Sequence, residues 1–105
     1  MKFHRNLFTV LALSILLSGC VTIGRDFPGS EAVKGIENGK TTKLEILDVF
    51  GTPNRKGFED GDEMWTYEYS KYKVGRTYTK DLIIRFDKED VVKSYSYSNN
   101  FPDAR

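Results

Sequence analysis

The 105-residue chain holds one thiol, Cys20, and one imidazole, His4. A thiol can be alkylated or acylated, pair with a second thiol, or bind a soft metal. An imidazole can move protons near neutral pH. Cys20 has no second cysteine to pair with. His4 lies in a leading segment with a basic start, Lys2 and Arg5, and an apolar run from Leu7 to Leu17 broken only by Thr9 and Ser14. That 11-residue run fits the ~7–15-residue apolar core of a signal peptide. As a helix it would rise only about 16 Å, against a hydrocarbon core of ~30 Å. The expectation is a removed leader, which takes the only histidine with it.

The run Leu17-Ser18-Gly19-Cys20 then decides what the thiol does. It resembles the lipobox of bacterial lipoproteins, in which the cysteine sulfur receives a diacylglyceryl group before cleavage on its amino side. The resemblance implies a signal peptide over 1–19, a lipidated Cys20 followed by a flexible tether over 20–29, and a folded domain over 30–105. A single acyl chain binds membranes marginally, whereas two or more lipid signals anchor stably. Val21 follows Cys20, where aspartate commonly retains such proteins in the inner membrane. The expected location is therefore the outer membrane, lipid-anchored and facing the periplasm.

The mature chain would have 86 residues, enough for one small domain. Losing Lys2 and Arg5 leaves 14 bases against 15 acids, a formal charge of about −1 with the signs interspersed. No basic patch invites nucleic acid. Without a disulfide, the domain must rely on packing, and one Trp, six Tyr and five Phe remain for it. With no histidine and the thiol lipidated, histidine triads and His/Cys zinc sites drop out. Glu59-Asp60-Gly61-Asp62-Glu63 lacks the ligand alternation of a calcium loop and reads as a solvated turn. The expectation is a non-enzyme without a cofactor or small-molecule substrate.

These features need a scaffold. Val21 to Gly29 shows no apolar periodicity and reads as the tether. Ser30 is a plausible N-cap for a short helix, Glu31–Glu37, with Val33 and Ile36 inward. Thr42-Lys43-Leu44-Glu45 fits a capping box opening a helix over Lys43–Phe50, closed by Gly51 and Pro53. Leu44, Leu47 and Phe50 are its expected core face. Three alternating runs follow: Glu63–Tyr72, Tyr78–Asp87 and Val91–Ser98, the last with Val91, Tyr95 and Tyr97 on one face. Asn99–Arg105 reads as a frayed end. The expected fold is α+β, two short N-terminal helices packed on a three-stranded antiparallel meander, an αα-βββ two-layer sandwich. One sheet face would stay uncovered, and Trp65, Tyr67, Tyr69, Tyr95 and Tyr97 are the candidate partner surface.

The stretch from Ile36 to Pro53, with a Gly and Thr before a helix and Gly-Thr-Pro after it, resembles the SmpA/OmlA signature, the family that includes BamE. Trp65-Thr66-Tyr67, Leu82 to Asp87 and Val91-Val92 follow in matching order. Asp90 stands where the family often has a hairpin glycine. The resemblance implies structural roles for Gly39, Thr41, Phe50, Gly51 and Pro53. It also implies an envelope protein as partner and support of envelope integrity, as an accessory of β-barrel assembly. The readings from other classes are a lipid-anchored periplasmic protein-binding or inhibitor module with an unrelated partner, and a cell-wall hydrolase or its accessory.

Overall fold

The computed structural model describes residues 20–102. The expected leader over 1–19 lies outside the described residues. Five antiparallel strands dominate: β1 (Cys20–Gly24), β2 (Arg55–Glu59), β3 (Asp62–Lys73), β4 (Arg76–Phe86) and β5 (Val92–Asn99). Two short helices, α1 (Ser30–Lys34) and α2 (Lys43–Phe50), interrupt them. This corrects the expected fold of two helices on a three-stranded meander.

The central pair is β3 and β4, joined by the two-residue turn Val74-Gly75, and β5 pairs with the far side of β4. Both added strands lie along the other edge of β3. There β2 pairs with Asp62–Thr66 and β1 with Tyr69–Lys73. The tether is corrected too. Residues 20–24 form a paired strand, and Phe27 just beyond is buried. Gly24 fits only without a side chain, because a Cβ there would stand 2.4 Å from the Glu68 carbonyl oxygen. Beyond β5, Phe101 is buried and stacks on Tyr69 and Tyr78.

The expected N-cap at Thr42 forms, with the first of the two capping-box bonds. The Thr42 hydroxyl accepts from the Glu45 amide at 3.2 Å and contacts the Glu45 carboxylate. Gly51 ends α2 at φ +79°, its amide donating to the Leu47 carbonyl. The first helix starts one residue early, with Gly29 as N-cap and no side-chain cap.

One layer of side chains forms the core. Val33, Ile36, Ile46 and Phe50 meet Trp65 and Tyr67 of β3, Leu82, Ile84 and Phe86 of β4, and Val92 of β5. At roughly 1.5–3 kcal/mol per buried large side chain, this layer holds the domain together. The inward residue of α2 is Ile46, with Phe50 one turn on, and not Leu44 or Leu47. In β5 the inward valine is Val92, not Val91. A bulge at Lys93 lets Phe86 pair with Val92 and Arg85 with Ser94. The extra residue reverses the alternation before Ser94.

Candidate functional site

The five aromatics expected as a partner surface lie on the covered face. Trp65 and Tyr67 are 3% and 2% exposed, and Tyr69, Tyr95 and Tyr97 pack against the same core. Cross-strand pairing explains it: Tyr95 opposes Ile84 and Tyr97 opposes Leu82, both wholly buried. Directly opposed residues share a face, so the helices that cover β4 cover them also. Trp65 and Tyr67 are core, and Tyr69, Tyr95 and Tyr97 are half-buried against it.

Their polar ends are used internally. The Tyr67 hydroxyl donates to the Gly51 carbonyl at 2.7 Å, and burial pushes its phenol well above the usual tyrosine range. Trp65 Nε1 donates to Glu63 at 2.9 Å. Lys43 reaches Glu63 and Asp90 and lies 5.3 Å from the Phe86 ring centre. Burial opposes its charge, but the hydrogen bonds it donates to Asp90 and Glu63 prevail and raise its pKa.

The residues singled out by the family signature join α2 to the sheet. The Gly39 amide donates to the Val92 carbonyl, and the Val92 amide donates to the Thr41 carbonyl. Phe50 sits 5.8 Å from Tyr67, Gly51 accepts its hydroxyl, and Pro53 is buried beside them. Asp90 adopts φ +61°, the left-handed turn geometry that aspartate tolerates.

Three of the four carboxylates of the 59–63 turn, those of Asp60, Asp62 and Glu63, are committed to cations. Asp62 binds Lys93 and Arg85, which hold its carboxyl below the usual range. Asp60 reaches Arg85, and Glu63 reaches Lys43. Among the described residues no group of three His, Cys, Asp or Glu side chains is placed to hold a metal ion.

Part of the outward surface is apolar. On α2, Leu44 is 76% exposed, Val49 52% and Leu47 39%. Leu44, Glu45, Leu47 and Asp48 line an open groove of about 380 Å³. A second hollow, about 290 Å³, lies between the 25–27 segment and the 50–54 loop, with Tyr67 at its base. Sequence reasoning missed the α2 surface. The signal was present in the helix itself: five of its eight residues are apolar and point in several directions. One sheet contact covers a single stripe of such a helix, so the rest faces outward. An exposed apolar set rimmed by carboxylates is the kind of surface that binds a protein.

Residues 26–96 match the family model described as the outer membrane protein assembly factor BamE domain. The match spans both helices, β2, β3, β4 and most of β5. No curated protein matches the chain, and no solved structure does.

Proposed function

The chain belongs to the BamE domain family, and from that premise we propose that it is a non-catalytic, periplasm-facing lipoprotein assisting assembly of outer-membrane β-barrel proteins. The supporting observation is the match over 26–96, which takes in the whole helix-on-sheet core. In this reading the leader over 1–19 is removed and Cys20 carries the lipid. The domain presents α2 to another envelope protein. Leu44, Leu47 and Val49 supply the apolar contact, and Glu45 and Asp48 orient it. The chemistry asked of the chain is adhesion and positioning, with no cofactor.

The test is genetic and biochemical. In cells lacking the gene, the wild-type chain should restore outer-membrane barrel-protein levels and the barrier to large antibiotics. Cys20→Ala should leave both defective and remain unlabelled by a fatty-acid probe. Barrel-protein levels that do not change when the gene is lost and restored would overturn the proposed role.

A further inference from the structure

We propose that the tip of the β3–β4 hairpin is a second membrane contact, docking on the headgroup layer of the bilayer that holds the Cys20 lipid. The inference rests on the reading of Cys20 as lipidated. It begins from register. β1 starts at Cys20 itself, and Cys20 pairs with Lys73, which pairs with Arg76 on β4. Strands lie about 4.8 Å apart, so residue 20 is two strand spacings from Arg76 and beside the Val74-Gly75 turn. All five residues of β1 are paired. They leave no slack between the anchor and the sheet, so whatever holds Cys20 at the bilayer brings the hairpin tip there.

The tip carries the side chains suited to that position. Val74 is 86% exposed, and Tyr72 47%. Val21 and Ile23, 57% and 69% exposed, pair with Tyr72 and Ser70 on the face without helices. Neither the core nor the turn calls for valine at 74. Both turn residues have positive φ, +48° and +75°, a geometry that favours asparagine and glycine and strains a β-branched residue. An apolar side chain held outward on a turn next to a lipid fits the headgroup–acyl boundary, and tyrosine is favoured at that depth.

Charge gives the same orientation. Lys73 and Arg76 oppose each other directly, and Lys71 lies two residues back. Like charges in opposed positions repel. Among the described residues no ion pair reaches any of the three, and Glu68, the nearest acid on β3, is engaged by Arg55. The other end of β3 lies twelve residues or about 36 Å away, and its charges are of both signs. There the turns carry Glu59, Asp60, Asp62, Glu63, Glu89 and Asp90. At that far end Lys43, Arg85 and Lys93 pair with Glu63, Asp90, Asp60 and Asp62, whereas the bases at the anchored end have no such partners. Anionic headgroups supply the counter-charge missing at the tip.

The test uses the full lipidated protein in vesicles of phosphatidylethanolamine and cardiolipin, with or without brominated acyl chains. Cysteine is introduced singly by Val74→Cys, or by Glu89→Cys at the far end, and labelled with a bilayer-sensitive fluorophore. Bromolipid should quench the label at 74 about threefold or more beyond the label at 89. Equal quenching at the two positions would overturn the inference while leaving the anchor intact. The wild-type chain reports on the anchor separately, since its only thiol is Cys20. Labelling of wild type would remove the lipid and this inference with it. Replacing Lys71, Lys73 and Arg76 together with Gln should reduce quenching at 74, and unchanged quenching would refute the electrostatic part.

Discussion

Lys80 is a cation inside the core face of β4, with its side chain 2% exposed. Its Nζ donates to Asp26 Oδ1 at 2.6 Å and to the Phe27 carbonyl, and lies 4.6 Å from the Phe27 ring centre. These contacts fasten the segment after β1 to the sheet across 54 residues. Asp26 is half exposed, so the two partners are unequal. Asp26→Ala leaves a buried ammonium without its counter-ion, a loss of about 3–5 kcal/mol. Half-exposure of the carboxylate in the folded state argues for the lower figure. Lys80→Met keeps the stem, removes the buried charge and leaves Asp26 to water. The cost should be about 1 kcal/mol, because apolar replacement of a buried pair is often neutral. For a domain of this size, 1 kcal/mol moves Tm by roughly 4–8 °C. Asp26→Ala should therefore lower Tm by about 12 °C or more, and Lys80→Met by roughly 8 °C or less. Thermal unfolding followed by Trp65 fluorescence and circular dichroism measures both. If Lys80→Met proves as harmful as Asp26→Ala, the argument from burial is wrong.

Ile46→Ala should cost about 2–5 kcal/mol in urea unfolding, while Leu44→Ala stays within roughly 0.5 kcal/mol; similar losses would place Leu44 in the core after all. Val74→Asn should stabilise the chain by about 1 kcal/mol through relief of left-handed strain, read as a higher Tm. Asp62 should titrate below an ordinary aspartate by NMR. Because its folded pKa is depressed, its contribution is present above the unfolded value of about 3.9 and lost as pH falls through the folded one. Asp62→Asn should accordingly flatten the stability–pH slope at the acid end.

Local signals were the legible ones. The α2 cap could be read because Thr42 and Glu45 act within one turn. The inner strands could be read because Trp65/Tyr67 and Leu82/Ile84/Phe86 alternate against a single covered face. β2 could not, since Arg55–Glu59 is exposed along its whole length and therefore carries no burial pattern. β1 could not for the same reason: Val21–Gly24 lies exposed along an edge, held by backbone pairing with β3. The β5 bulge at Lys93 is a geometric choice that exchanges Val91 for Val92 without any change in composition. The tyrosines were misplaced because their exposure depends on which face the helices cover. Alternation divides a strand into two faces but does not label them. Leu44 was misplaced because an apolar residue on a short helix suits a core and a binding surface equally.

The central claim is that this domain positions itself at the outer membrane and meets the barrel-assembly machinery through α2. A photo-crosslinking amino acid placed at Leu44 in living cells, with mass spectrometry of the adduct, tests it most directly. The account predicts an adduct with a subunit of the β-barrel assembly complex, and none from the same probe at Ser96 on the opposite sheet face. Adducts exclusively with a periplasmic enzyme, or an equal yield from both positions, would contradict it.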